Sequence, residues 1–196
     1  MKKTIITFCI SLLMIQESSN ICFELKYYPD ECSYSDIVFE SLYYSNIMEQ
    51  KRREGFVEFL TPDIGNGALN IGYGVNVSKG EYLNGISEEE ASKLLEITWM
   101  KHYRNVSNEL PDCSYSQKIA LANLSYNCGW NRVRFVGGDK SLGYTKTFKS
   151  FKDGDYCLAA EYIMDWCNFG SGDKRRRSEN LYKSRLFDKQ LILLNI

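Results

Sequence analysis

Apolar positions along the chain repeat with a helical period over most of its length. A helix is predicted where apolar residues recur every three or four positions between capping or breaking residues. Ser87 and Glu90 show the Ser-x-x-Glu spacing of a capping box, which marks the start of one such segment. The predicted helical segments are 35–53, 87–110, 115–128, 145–152, 156–168 and 175–194.

Residues 54–77 break this period. The stretch holds one proline and five glycines, with aromatic and β-branched residues between them. Such a pattern is typical of short strands joined by tight turns. The sequence therefore predicts an α+β fold that is mostly helical, with a small β-sheet or hairpin near the N-terminal third. We expect one domain over 37–196.

The N-terminus has the pattern of an export signal. Lys2 and Lys3 precede an apolar run over 4–15, and a polar stretch follows. The run is shorter than the roughly 20 residues that a membrane-spanning helix needs. We predict a signal peptide over 1–20, a cysteine-containing lead-in over 21–36, and a secreted or periplasmic protein with no membrane association after cleavage. The alternative is a buried N-terminal helix or an uncleaved anchor.

Cysteine usage agrees with export. Removing Cys9 with the signal leaves an even number of cysteines, which in an exported chain suggests up to three disulfides. Fifteen pairings are open, and buried free thiols are the alternative. The six remaining residues are Cys22, Cys32, Cys113, Cys128, Cys157 and Cys167.

The composition limits which partners and which kinds of catalytic or metal site the chain can have. Lysine and arginine number 24 against 25 acidic residues, so the net charge of −1 argues against nucleic acid as a partner. The single histidine, His102, excludes zinc sites built on two or three histidines. Any Ser/His/Asp or Cys/His machinery would have to use His102. We expect no metal and no cofactor.

Two carboxylates stand where the predicted helix gives way to the sheet. Glu54 ends the first helical segment, and Asp63 follows nine positions later in the Gly/Pro-rich stretch. Glycoside hydrolysis uses such a pair, one to protonate the leaving oxygen and one to activate water or stabilise the sugar cation. The spacing alone does not distinguish a catalytic pair of carboxylates from two carboxylates that are solvated on the surface.

The residues around this pair carry a family resemblance. Segment 54–56 (Glu-Gly-Phe), Asp63 and segment 70–74 (Asn-Ile-Gly-Tyr-Gly) resemble the active-site region of the phage-type lysozymes, glycoside hydrolase family 24. The resemblance runs over roughly residues 37–188. Further similar segments follow in the family's order at 86–91, 117–129, 154–166 and 176–182.

The resemblance implies a lysozyme-like fold and assigns roles to single positions. Glu54 would be the general acid and Asp63 the second carboxylate. Three residues would position water or substrate: Asn70, Gly72 and Tyr73. Arg176 or Arg177 would orient the acid. The implied partner is cell-wall peptidoglycan, cleaved at the β-1,4 bond between N-acetylmuramic acid and N-acetylglucosamine by a monomer.

Two positions depart from the family pattern. Asn70 replaces the family's threonine and stands one residue further from Asp63, and Val75 replaces the family's histidine. An amide can hold a water as a hydroxyl does, but on a longer stem. The alternative is therefore a catalytically degenerate, lysozyme-like protein that only binds glycan. A Cys/His peptidase is a weaker rival.

Overall fold

A computed structural model of the chain describes residues 34–62, 68–169 and 176–194, with Tyr34, Phe169 and Arg176 described by their backbone alone. The predicted signal peptide, residues 21–33 of the predicted lead-in, and Asp63 lie outside the described residues.

The chain divides between Ser45 and Asn46 into two compact units. In the first unit the described residues form the opening turns of helix α1 (Tyr34–Glu54), where the rings of Phe39 and Tyr43 stack at 6.0 Å. The second unit holds the last turns of α1 and all other described elements.

A three-stranded antiparallel sheet follows α1 in the order β1–β2–β3, comprising β1 (Val57–Pro62), β2 (Leu69–Gly72) and β3 (Val75–Val77). Between Val57 and Thr61 the register of β1 against β2 shifts. The turn from β2 to β3 is short and contains Gly74. This is the small sheet that the glycine-rich stretch predicts.

Helices form most of the rest of the second unit. They are α2 (Glu88–Glu109), α3 (Tyr115–Cys128), α4 (Trp130–Arg134), α5 (Lys146–Lys152), α6 (Tyr156–Tyr162) and α7 (Glu179–Leu194). Helix α3 packs against both α2 and α7, and it is buried along most of its length. The predicted α+β fold is confirmed, with α3 as its central helix.

Side-chain caps fix where α2 and α3 begin. Ser87 accepts a hydrogen bond from the backbone N–H of Glu90, whose carboxylate accepts from Ser87 in return. Ser114 and Gln117 form the same reciprocal pair at the start of α3. Each pair satisfies two donors that a helix start leaves without partners. The predicted capping box at Ser87 is confirmed.

The predicted helices over 156–168 and 175–194 are wrong in their bounds. Helix α6 ends at Tyr162, a 3-10 segment runs over Ile163–Cys167, and the short strand β4 (Asn168–Phe169) pairs with β5 (Arg176–Arg177). Ser178 then accepts a hydrogen bond from the N–H of Leu181, so helix α7 begins at Glu179. A serine cap therefore outweighs the helical propensity of the arginines before it.

One region of regular structure has no counterpart in the predictions. Helix α4 leads into two 3-10 turns, Val136–Gly138 and Lys140–Leu142, closed by an antiparallel bridge between Phe135 and Tyr144. Each of these elements is shorter than two helical turns, so no apolar period can develop within it.

The four described cysteines are free thiols. Cys113 and Cys167 are buried, and the sulfur of Cys113 lies 3.8 Å from the hydroxyl of Tyr156. Cys128 and Cys157 lie on different helices, α3 and α6. The prediction of up to three disulfides is therefore not confirmed in this part of the chain.

Among the described residues, no helix combines the length and the apolar character needed to cross a membrane.

Replacing Ser114 with alanine removes the oxygen that caps α3. Substitutions of this kind cost about 1 kcal/mol, whereas glycine at the same position costs only a few tenths. We therefore expect Ser114→Ala to lower the free energy of unfolding by about 1 kcal/mol and Ser114→Gly to lower it by less, measured by urea denaturation. Equal losses for both variants would contradict the capping role.

Candidate active site

Glu54 is the last residue of α1, and the backbone beyond it explains why the helix ends there. Gly55 adopts φ +70° and donates its N–H to the carbonyl of Lys51 at 3.0 Å. Glycine reaches this left-handed conformation without a Cβ penalty, which makes it a common helix terminator. The chain then turns directly into β1, so Glu54 lies at the junction of helix and sheet.

The turn between β2 and β3 contacts Glu54 closely. Gly72 and Gly74 have φ values of +62° and +77°. A Cβ on Gly72 would lie 2.9 Å from the Cβ of Ala91, and one on Gly74 would lie 3.1 Å from Oε2 of Glu54. The turn is thus an ordinary hairpin turn in its pairing, but its glycines also let the backbone approach α2 and the carboxyl group of Glu54.

Tyr73, between these glycines, is fixed to two helices. Its hydroxyl donates to Oε1 of Glu88 at the start of α2, at 2.9 Å. Its backbone carbonyl accepts from the hydroxyl of Tyr126 on α3, at 2.8 Å. Its ring lies 5.9 Å from that of Phe56, at an angle of 53°. The turn is therefore held from both sides.

Burial is the main influence on the Glu54 carboxyl group. Although the residue keeps access to solvent, removal of water from its carboxyl raises the pKa above the ordinary value of 4.5. The charge of Arg53, a hydrogen bond from Asn127 and the charge of Arg185 act in the opposite direction and are smaller. Asn127 Nδ2 donates to Oε1 of Glu54 at 3.3 Å. The net effect favours the protonated acid.

A chain of buried polar contacts continues inward from Asn127. Arg185 donates to Asn127 Oδ1, and Arg185 Nη1 lies 3.3 Å from Oδ2 of Asp188. Asn123 donates to Asp188 at 2.9 Å and accepts at 2.9 Å from the indole N–H of Trp99. The side chains of Arg185 and Asp188 are almost completely buried. This series of side-chain contacts, which we call the polar relay, joins α2, α3 and α7 to the carboxyl of Glu54.

Sequence reasoning missed the polar relay. The available signal was an Arg–Asp pair three positions apart, at 185 and 188, within a helix otherwise rich in apolar residues. Charged residues on a buried face require partners, so this pair pointed to a buried network. Its link to Glu54 through Asn127 joins residues 73 positions apart and leaves no local pattern.

Asn70 lies in the middle of β2, paired with Thr61 on β1 and Asn76 on β3. Its side-chain Oδ1 is buried and accepts no hydrogen bond from any described residue. A buried carbonyl oxygen without a donor is costly, so this atom is available to a ligand or water. Asp63, its predicted partner, lies outside the described residues.

Arg185, which bonds Asn127, was not one of the two arginines predicted to orient Glu54. Arg177 is half exposed, lies over the ring of Tyr182 at 3.5 Å and faces Glu179 at 4.0 Å. Arg185 instead reaches Asn127. The acid-orienting role of Arg176 and Arg177 stays a prediction.

His102 is enclosed between α2 and α3. Its Nδ1 lies 2.6 Å from the hydroxyl of Ser125, which is fully buried, and its ring meets the ring of Tyr126 edge-on. Burial lowers the pKa of His102, which favours the neutral ring. These contacts are those of a packing residue. Over 34–62, 68–169 and 176–194, no three His, Cys, Asp or Glu side chains cluster as metal ligands would.

A family comparison matches most of the second unit. The family described as phage lysozyme matches residues 51–185. Among curated proteins, no match is found.

Solved structures with the same fold come from bacteria and phages. The muramidase domain of SpmX from Asticaccaulis excentricus is 21% identical, with a TM-score of 0.61, and covers 76% of this chain and 95% of its own. The endolysin of Escherichia coli O157:H7 phage FAHEc1 is 20% identical, with a TM-score of 0.60 and coverages of 77% and 92%. The active form of the P1 phage endolysin Lyz is 17% identical, with a TM-score of 0.59 and coverages of 83% and 94%. These likenesses confirm the lysozyme-like fold.

The raised pKa of Glu54 predicts a stability effect. Between the ordinary and the raised pKa, the folded state holds a proton that the unfolded state releases, so stability falls as pH rises through this window. At pH 7 the unfolded chain has an ionised carboxylate at Glu54, so folding must either desolvate that charge or take up a proton. We expect Glu54→Gln to raise the free energy of unfolding at pH 7, by less than about 1 kcal/mol because solvent screens the group.

Urea denaturation at pH 7 and pH 4 measures this effect. The gain should shrink towards pH 4, where the wild-type carboxyl is mostly protonated in both states. Glu96→Gln on the exposed face of α2 serves as the control and should change neither value. A gain of equal size at both pH values would contradict the burial effect.

Proposed function

The chain belongs to the phage lysozyme family, and we propose that it is a peptidoglycan hydrolase. Its reaction would be cleavage of the β-1,4 bond between N-acetylmuramic acid and N-acetylglucosamine. The observation that carries this proposal is the Glu54 carboxyl group. The sequence resemblance assigns it the role of the acid, and it lies beside the backbone of Gly74 with its pKa raised by burial.

General acid catalysis requires a group that is protonated near the working pH and lies within reach of the leaving oxygen. Desolvation favours the protonated form of Glu54, and the remaining solvent access of its side chain leaves an approach for a sugar. Asn127 gives the carboxyl a defined orientation by donating to Oε1. Oε2 is then the oxygen that would deliver the proton.

Asp63 is proposed as the second carboxylate and Asn70 as the residue that holds the attacking water. The support for Asn70 is its buried Oδ1, which lacks a donor among the described residues. A water molecule can supply that donor while keeping lone pairs for attack. In the proposed step, the water attacks the anomeric carbon and gives its proton to Asp63, while Glu54 protonates the departing oxygen. The glycosidic bond breaks without a redox partner.

The similar structures agree with this substrate class. One is a muramidase domain and two are phage endolysins. We propose that this chain, too, is directed at peptidoglycan, as a monomer. The pattern of residues 1–20 supports export through a signal peptide, and we propose action outside the cytoplasm.

Glu54→Gln keeps the shape of the side chain and removes its proton. General acid catalysis typically supplies roughly 10²–10⁴-fold, so we expect a loss of that order in kcat. The assay is release of new reducing ends from purified cell walls. Circular dichroism shows that the variant is folded, and Glu96→Gln should keep wild-type turnover.

Three outcomes of this assay separate the alternatives. Wild-type protein that binds walls without releasing products would identify the degenerate, glycan-binding alternative. New free amines without reducing ends would indicate a peptidase. A folded Glu54→Gln variant with near wild-type turnover would remove Glu54 from the reaction.

The stereochemistry of the product tests Asp63 and Asn70. Inverting enzymes leave about 6.5–9.5 Å between their carboxyl groups so that a water fits, whereas retaining enzymes hold them about 5–5.5 Å apart. We expect inverted anomeric configuration in freshly released fragments, resolved by chromatography. Asn70→Ala should lower kcat more than it weakens glycan binding. Retained configuration would mean that Asp63 attacks the sugar directly, and Asn70 would then need another role.

A further inference from the structure

Tyr126 connects the centre of the molecule to the turn beside Glu54. It lies near the C-terminal end of α3, and its ring meets the ring of His102 at 5.9 Å and 80°. Its hydroxyl donates to the carbonyl oxygen of Tyr73 at 2.8 Å. One side chain thus joins the buried face of α3 to the backbone of the β2–β3 turn.

The peptide group that accepts this hydrogen bond lies against the side chain of Glu54. The carbonyl of Tyr73 belongs to the peptide unit whose nitrogen is that of Gly74. Atoms of the Glu54 side chain lie 3.1, 3.6 and 3.8 Å from the position of a Cβ on Gly74. A shift of this peptide would therefore change both the space and the water around the Glu54 carboxyl.

The hydroxyl of Tyr126 is a constant donor over the working pH range. Burial raises the pKa of Tyr126, and the nearby charge of Glu54 raises it further. The hydroxyl therefore remains protonated wherever the enzyme would act.

We propose that Tyr126 is a positioning residue for Glu54, acting by holding the Tyr73–Gly74 peptide against the carboxyl group. This inference rests on the proposed function, in which Glu54 is the general acid. Tyr126 itself does not touch the reacting atoms. The hydrogen bond instead limits how far the turn moves and how much water reaches Glu54.

The effect on pH dependence has a definite sign. Other groups that act on Glu54 are Arg53 on its own helix, Arg185 on α7 and Asn127 on α3, and each of them lowers its pKa. Without the Tyr126 hydroxyl, the turn relaxes and water enters, so the desolvation that raises the pKa of Glu54 weakens. The acid then loses its proton at lower pH, and the alkaline limb of the activity profile moves down.

Tyr126→Phe tests the proposal because it removes only the hydroxyl. We expect kcat on purified cell walls to fall about tenfold with KM within about twofold, since the acid is misplaced while the glycan contacts remain. The alkaline limb of kcat against pH should shift to lower pH. A carbon-13 titration of the Glu54 carboxyl, identified by its absence in Glu54→Gln, should show the same downward shift without any turnover.

Tyr156→Phe is the matched control. Tyr156 loses a hydroxyl whose contact is the sulfur of Cys113, at 3.8 Å. It should leave kcat, the pH profile and the carboxyl titration unchanged. If Tyr126→Phe gives a wild-type profile and titration, or loses activity only in proportion to its unfolded fraction, the proposal is overturned.

A second pair of variants approaches the same peptide from the other side. Gly74→Ala places a methyl group against Glu54, whereas Gly80→Ala carries backbone strain at φ +102° with no atom within 4 Å. Gly74→Ala should alter the alkaline limb of kcat against pH and the carbon-13 titration of the Glu54 carboxyl, whereas Gly80→Ala should alter neither. These variants test whether the Tyr73–Gly74 peptide controls the surroundings of Glu54, so even if Tyr126→Phe fails to fold, equal effects of the two would overturn the proposal.

Failure of the proposed function has a different result. In that case the wild-type protein releases no reducing ends, or Glu54→Gln is as active as wild type. The carboxyl titration of Tyr126→Phe still reports on whether the hydroxyl controls the surroundings of Glu54.

Discussion

The need to pair two buried charges organises the second unit of this protein. Arg185 and Asp188 are almost completely enclosed, and burial raises the pKa of Asp188 even though Arg185 and Arg53 favour its charged form. Removing one member of such a pair leaves an uncompensated charge, at a cost of about 3–5 kcal/mol in typical cases. The pair and its partners link α3 to α7 and, through Trp99, to α2, and Glu54 accepts a hydrogen bond from Asn127 at the outer end of the same network.

The fold was largely accessible from the sequence because its signals are local. The capping pattern at Ser87, the apolar period of α2 and α3, and the glycines around the sheet each act within a few residues. Errors arose where a local signal competed with another. Arg176 and Arg177 favour helix by propensity, yet the pairing of β4 with β5 and the cap at Ser178 place the helix start beyond them.

Some features of the candidate site also have a local signal in the sequence, and others have none. The sequence singles out Glu54 and the glycine turn as candidates because the residues that mark them stand close together in the chain. The contact of Tyr126 with Tyr73 joins residues 53 positions apart, and that of Arg185 with Asn127 joins residues 58 apart. Neither contact has a spacing that one sequence can reveal, because it depends on how α3 packs between its neighbours.

Trp99, at the inner end of the polar relay, can serve as an intrinsic fluorescence probe. Of the three tryptophans, Trp99 is fully buried and donates its indole N–H to Asn123, whereas Trp130 and Trp166 retain some contact with solvent. An indole enclosed by protein emits at shorter wavelength than one exposed to water. The blue edge of the fluorescence spectrum therefore belongs to Trp99, and its position follows the packing of α2 on α3 without any added label.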